Sequence, residues 1–178
     1  MCNFAPGESV INTVNRPMNS SEYNQCVDQH ADAVYRFICG SLRDEDRARD
    51  IVQDTFEKLW IKAETVQFEK ARSYIFSTAY HTMIDVIRKE KRTTVVDDYS
   101  PHESTHDEQY TDINEILLEG LGKLPEAQKN VILLRDYEGY SYEEIGEITG
   151  LSTSQVKVYI YRGRMFLRNY IGKLESVL

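Results

Sequence analysis

Apolar residues recur every three or four positions in well-separated blocks, the spacing of helices that bury one face. A first helix is predicted from a cap at Ser20 or Ser21, with Tyr23, Val27, Ala31, Val34, Tyr35, Ile38 and Leu42 along its inner stripe. Asp44, followed by Glu45 and Asp46, opens a second, because a capping carboxylate and early acids favour a helix N-terminus. Its expected inner face is Ala48, Ile51, Val52, Thr55, Phe56, Leu59 and Trp60, with Arg47, Asp50, Gln53, Asp54, Glu57 and Lys58 outward. After the mixed segment Glu64 to Lys70, a third helix runs from about Arg72 to Arg92 on a stripe of Tyr74, Ile75, Thr78, Ala79, Met83, Val86 and Ile87. The periodicity vanishes from Thr93 to Thr111. It resumes at Ile113 with Ile116, Leu117, Leu121 and Leu124, and beyond Pro125 a further helix should turn Ala127, Val131, Leu134 and Tyr137 inward.

The stretch Ser141 to Arg168, SYEEIGEITGLSTSQVKVYIYRGRMFLR, has the pattern of two helices joined by a tight turn. Ile145 and Ile148 mark the inner face of the first, and Gly150 supplies a residue that turns without a Cβ penalty. Gly146 meets the need for a small residue where the two helices cross. The second helix starts at Ser152 or Thr153 and buries Val156, Ile160 and Leu167, while Gln155, Lys157, Tyr161, Arg162, Arg164 and Arg168 face outward. This is the layout of a DNA-reading helix-turn-helix, whose second helix enters the major groove.

Charge sharpens that reading. The 178 residues carry a net charge of -8, which argues against nucleic acid until the acids are located. Residues 93–122 hold eight acidic side chains and no basic one, so the flanking parts are close to neutral. Arg88, Lys89, Lys91 and Arg92 crowd the end of the third helix, where they complement the helix dipole and also suit phosphate. From Leu151 onward five Lys and Arg face one acid.

Composition excludes several classes. No apolar run approaches bilayer length and no signal-peptide core opens the chain, so neither membrane insertion nor export is expected, and a cytoplasmic location is. Three cysteines, Cys2, Cys26 and Cys39, show no metal-ligand spacing. His102 and His106 have no third ligand near them, so no metal and no cofactor is expected. A Gly-rich phosphate loop and a nucleophile with a base are both missing, which argues against an enzyme.

Two stretches together carry a resemblance. YRFICGSLRDEDRARDIVQDTFEKLW, Tyr35 to Trp60, resembles the region 2 helices of bacterial sigma factors, and LPEAQKNVILLRDYEGYSYEEIGEITGLSTSQVKVYIYRGRMFLR, Leu124 to Arg168, resembles their region 4. Over roughly residues 22–172 the chain is similar to the small extracytoplasmic-function (ECF) class of the sigma-70 family. The resemblance implies an all-α protein of two small helical domains joined by a flexible acidic linker. Residues 1–20 would be a flexible extension, 21–92 a region 2 bundle of three to four helices, 93–111 the linker, and 112–178 a four-helix region 4 domain with the helix-turn-helix.

It further implies core RNA polymerase and promoter DNA as partners, together with an anti-sigma factor. Asp50, Gln53, Asp54, Phe56 and Lys58 match the polymerase-docking helix, and Trp60 is left mainly to the core. Promoter melting, in which a base leaving the stack is captured, would fall to the segment Glu64 to Arg72 and the helix after it. The minus-10 candidates are Phe68, Lys70, Ser73, Tyr74 and His81, with Arg88, Lys89 and Arg92 on duplex phosphates. His81 stands where relatives usually have Asn, which changes the donors and acceptors offered to the minus-10 bases. For the minus-35 element, Lys157, Val158, Tyr161 and Arg162 would lie closest to base edges, and Thr153, Ser154 and Gln155 near the backbone. The competing reading is a conventional helix-turn-helix regulator whose residues 20–92 sense a signal or dimerise.

Overall fold

The computed structural model describes residues 17–93 and 113–175. Among them are seven α-helices and no strand. The first three are α1 (Ser20–Leu42), α2 (Glu45–Ile61) and α3 (Ala71–Thr93), with a short 3-10 turn at Phe68–Lys70 before α3. Asn19, one residue before the expected cap, starts α1 in a capping box: its side chain accepts from the Glu22 N–H at 2.9 Å, and the Glu22 carboxylate accepts from its own N–H at 3.0 Å. The fold reaches back further still, because Met18 is buried and its N–H donates to the Ala63 carbonyl at 2.9 Å. Asp44 caps α2 by accepting from the Arg47 N–H at 3.0 Å. Between the three helices lie Val34, Phe37, Ile38, Ala48, Ile51, Leu59, Ile75, Phe76, Ala79 and Met83, all buried.

The second group is α4 (Ile113–Gly122), α5 (Glu126–Ile132), α6 (Tyr142–Thr149) and α7 (Thr153–Glu175). Pro125 begins α5, where its missing N–H is no loss. The chain leaves α5 through a π-helical segment, Leu133–Tyr137. Ser141 and Glu144 form a second capping box at α6, and those hydrogen bonds hold the Glu144 carboxyl below its ordinary pKa. Gly150 takes φ +73, the left-handed turn between α6 and α7. Leu121, Leu124, Val131, Leu134, Ile145, Ile148, Val156, Ile160 and Leu167 make up the core of this group.

Three expected positions are corrected. Trp60 is 53% exposed, not in the core; its ring meets Tyr23 of α1 edge-on with centroids 4.9 Å apart, and the rest of it faces solvent. Phe56, expected on the polymerase-facing side as well as the inner stripe, is buried at 6% exposure. Tyr137 is 56% exposed, because the π segment inserts a residue and rotates the next side chains out of the α-helical register.

The two groups pack on each other. α3 lies against α6, and the end of α1 lies against α5 and the π segment. Phe76 and Tyr140, both fully buried, meet edge-to-face across this boundary with centroids 5.1 Å apart. The Ser41 hydroxyl donates to Asn130 Oδ1 at 2.7 Å, buried, and Lys129 Nζ donates to the Ser41 carbonyl. The expected linker lies outside the described residues apart from Thr93, as do His102, His106 and the first sixteen residues.

Candidate nucleic-acid interface

Helix α7 is held by its buried side, which fixes what it can offer to a ligand. Val156, Ile160 and Leu167 sit in the core, and Gly163 faces α5 so closely that a Cβ there would stand 2.3 Å from Ile132 Cδ1. Its N-terminus is closed locally: Ser152 Oγ accepts from the Gln155 N–H at 3.3 Å, and Gln155 Oε1 accepts from the Ser152 N–H at 2.9 Å. Gln155 is therefore committed to the cap. Ser154, Lys157, Val158, Tyr161 and Arg162 are exposed along one continuous stretch of the helix, with Thr153 half-buried at its start. The Lys157 ammonium stands 5.7 Å from the centre of the Tyr142 ring. Arg164 is occupied elsewhere, since its Nε donates to Asp136 Oδ2 at 3.1 Å and its Nη2 to Oδ1, which holds its pKa up.

A second cluster lies on the first half of α3 and the turn before it. Lys70, Ser73 and Tyr74 line a cleft of about 470 Å³ together with Thr65, Val66, Gln67 and Ser77, and the far wall is Glu147 and Ile148 of α6. Phe68 is half-buried against the core and does not line the cleft. His81 is exposed two turns on, its ring 5.4 Å from that of Tyr80. Arg88, Lys89 and Arg92 are exposed at the far end of the helix, about 22 to 28 Å from Ser73 at 1.5 Å per residue. Arg88 faces Asp85 at 3.9 Å, and Arg92 Nε donates to the Arg88 carbonyl at 3.3 Å. One helix thus joins a polar cleft at one end to a cationic cluster at the other, a layout suited to an unpaired strand and its adjoining duplex.

The third cluster is the outer face of α2. Asp50, Gln53 and Asp54 are exposed, and Lys58 reaches across to α3, donating to Thr82 Oγ1 at 2.8 Å. Phe56 does not belong to this face. Trp60 and Ile61, 53% and 70% exposed, do; sequence reasoning placed Trp60 on the inner stripe, and Ile61, on the opposite side of α2 from buried Leu59, was not singled out. It also missed Arg72, whose Nη2 donates to the Glu138 carbonyl at 2.7 Å and whose guanidinium lies 4.3 Å from the centre of the Tyr140 ring. No group of three or more potential metal ligands occurs among the described residues, and no described helix is long and apolar enough to cross a membrane.

Comparison with known proteins follows the same division. A model of sigma-70 region 2 matches residues 26–93, and a model of sigma-70 region 4 matches residues 114–167. RNA polymerase sigma factor SigV of Bacillus subtilis is 34% identical over 151 residues, covering 83% of this chain and 90% of its own. ECF RNA polymerase sigma factor SigE of Mycolicibacterium smegmatis is 29% identical over 178 residues, covering 96% and 69%. Among solved structures, the sigma factor RpoE of Bartonella quintana, crystallised with the anti-sigma factor NepR, is similar in fold, with a TM-score of 0.74 at 22% identity over 85% of this chain and 98% of that one.

Proposed function

Because the chain belongs to the sigma-70 family, as an ECF-type RNA polymerase sigma factor, we propose that its three surface clusters divide polymerase docking, promoter melting and minus-35 reading among them. A sigma factor confers promoter specificity on core RNA polymerase. The residues that do so here are a reading of this chain's own geometry.

The exposed face of α7 is the minus-35 reader. Arg162 and Lys157 are its cationic side chains nearest the helix start, and an arginine paired with guanine O6 and N7 is the commonest specific contact in the major groove. Val158 and Tyr161 supply the apolar surface between them, while Thr153 and Ser154 lie where the helix N-terminus approaches phosphate. Gln155 acts through the cap it forms with Ser152. The cleft on α3 accepts the flipped minus-10 base, with Tyr74 for stacking and Lys70 and Ser73 for polar contacts; His81, exposed two turns on, meets the strand outside the cleft, and Arg88, Lys89 and Arg92 hold the duplex upstream. Core polymerase docks on α2 through Asp50, Gln53, Asp54 and Lys58, with Trp60 as an apolar anchor at the edge. The similar fold solved with an anti-sigma factor supports a partner of that kind here, and polymerase places the work in the cytoplasm.

The observation that carries this reading is that one chain joins an exposed cationic helix-turn-helix face to a separate polar cleft with its own cationic extension. A conventional regulator needs only the first. Run-off transcription with purified chain, sigma-free core polymerase and a genomic promoter library tests it, with Lys157→Ala/Arg162→Ala as control. Discrete transcripts that require the chain and weaken in the control are expected. Tight duplex binding by the chain alone without any transcript would refute the assignment.

A further inference from the structure

One aromatic ring at the start of the helix-turn-helix draws cations from two other elements. Tyr142 is the first residue of α6, half-buried against the core and anchored by the Ser141–Glu144 capping box beside it. The Lys157 ammonium of α7 stands 5.7 Å from its ring centre, and the Arg135 guanidinium of the π segment stands 4.8 Å from it. Arg135 is also fixed through Nη1, which donates to the Tyr140 carbonyl at 2.6 Å. Arg164 belongs to the same corner: its pKa is held up first by its hydrogen bonds to Asp136 and, in smaller part, by the Tyr142 phenol. The π segment, α6 and α7 therefore meet at Tyr142.

The way these cations are held decides what they can do. Arg164 is neutralised by Asp136, with Nε to Oδ2 at 3.1 Å, and Glu144 is committed to the cap. Arg135 and Lys157 make no ion pair among the described residues. A carboxylate partner would cancel their charge and compete with an incoming anion. The face of an aromatic ring attracts a cation through its quadrupole and leaves the full charge in place. It also removes in advance some of the rotamer freedom that a long cationic side chain loses on binding. Two unneutralised, pre-oriented cations on one ring form a seat for an anion, and Lys157 puts that seat beside the face of α7 assigned to the minus-35 duplex. The anion a duplex offers there is phosphate.

We propose that Tyr142 is a positioning residue for minus-35 binding, holding Lys157 and Arg135 toward one stretch of the DNA backbone, and that Arg135 is a phosphate contact supplied from outside the recognition helix. The inference rests on the assignment of α7 as the minus-35 reader and extends that surface onto the π segment and α6. Phosphate contacts fix register and affinity and carry no base information. The ring therefore tunes how tightly, and up to what salt concentration, the duplex is held, while base choice stays with Arg162.

Reconstituted holoenzyme carrying Tyr142→Phe, Tyr142→Leu, Arg135→Ala, Lys157→Ala or the double change Tyr142→Leu/Lys157→Ala is titrated onto matched and one-base-mismatched minus-35 duplexes across a salt series. Tyr142→Leu, which removes the ring face, should weaken both duplexes about two- to fivefold, the range of an exposed cation–π contact, and Tyr142→Phe, which keeps the face, should retain the binding that Tyr142→Leu loses. Arg135→Ala should lower the slope of log affinity against log salt by about 0.9. Lys157→Ala should cost less in the Tyr142→Leu background than in wild type, since the ring acts through it. Tyr142→Leu binding as tightly as wild type or tighter, Tyr142→Phe as weak as Tyr142→Leu, or fully additive Tyr142 and Lys157 losses would overturn the positioning role. If thermal melts show Tyr142→Leu unfolded, the Arg135→Ala salt slope decides, and an unchanged slope overturns the proposal. An Arg162→Ala arm separates the two ideas. Discrimination lost on Arg162→Ala with Tyr142→Leu and Arg135→Ala unchanged defeats this inference alone, whereas no loss on either Arg162→Ala or Lys157→Ala defeats the minus-35 assignment.

Discussion

Of the four arginine and lysine side chains that face outward on α7, Lys157, Arg162, Arg164 and Arg168, the geometry ranks the first three differently from their order in the sequence. Arg162 is exposed on that face, Lys157 lies near the Tyr142 ring, and Arg164 is paired with Asp136. If Arg162 reads a guanine, Arg162→Ala costs about 1–3 kcal/mol of binding to the matched minus-35 duplex, a loss of roughly 5- to 150-fold, and flattens discrimination at one base pair. Lys157→Ala weakens matched and mismatched duplexes alike and lowers the slope of log affinity against log salt by about 0.9, the signature of one phosphate contact. Arg164→Ala removes an ion pair whose side chains are 51% and 33% exposed, and at that exposure the pair contributes at most about 1 kcal/mol to the fold. The melting temperature should therefore fall by about 2–4 °C while DNA affinity changes less than threefold. The assay is fluorescence anisotropy of reconstituted holoenzyme on a labelled minus-35 duplex at four salt concentrations, with a one-base mismatch series. A loss of affinity and salt slope on Arg164→Ala equal to that on Arg162→Ala would refute the division of labour drawn here.

Trp60 is the chain's single tryptophan, so docking on α2 has its own reporter: its emission should shift to the blue when core polymerase is added, and an unshifted spectrum in a transcribing complex would remove it from the interface. Gly163→Ala should destabilise the chain by about 1–2 kcal/mol despite the better helix propensity of Ala, since the new Cβ meets Ile132 Cδ1 in a buried seam. Adding Ile132→Val, which deletes that atom, should recover much of the loss in thermal melts. His30 is half-buried near Arg72, and burial first, then that charge, lowers its folded pKa below its ordinary 6.5. Its neutral form is the stable one, so its contribution is present above about pH 6.5 and is lost as the pH falls through that value toward the folded pKa. His30→Gln should flatten the fall in melting temperature between about pH 6.5 and pH 5, and an unchanged slope would exclude His30 as its source.

Much of each domain was legible because each helix buries a stripe of its own. Asp44 announces α2, and the Ser141–Glu144 pair and Gly150 bracket α6 through local hydrogen bonding and a left-handed turn that neighbours in sequence dictate. The misplaced residues fail for equally local reasons. An apolar stripe says which side of a helix is inner and not how fully each side chain is covered, so Trp60, at the edge of the stripe of α2, reaches solvent. Periodicity also assumes 3.6 residues per turn throughout, and the π segment at Leu133–Tyr137 breaks that assumption just before Tyr137.

The contacts between domains were illegible for a different reason. Phe76 lies beside Ile75 rather than on the expected stripe, and its burial depends on Tyr140, a residue of the other domain. Ser41 and Asn130 carry no hydrophobic signal at all, yet both are buried, because each supplies the polar match for the other. A permanent core selects apolar side chains that pack without partners to satisfy, and an interface that must part favours groups that water can take over. Asn130, 1% exposed, has its amide oxygen bonded to Ser41 and its Nδ2 without a hydrogen-bond partner among the described residues. A boundary closed by such polar pairs leaves no trace in hydrophobic periodicity, and Asn130→Leu, which strands the buried Ser41 hydroxyl without its acceptor, should destabilise the chain by about 1–3 kcal/mol in thermal or urea melts.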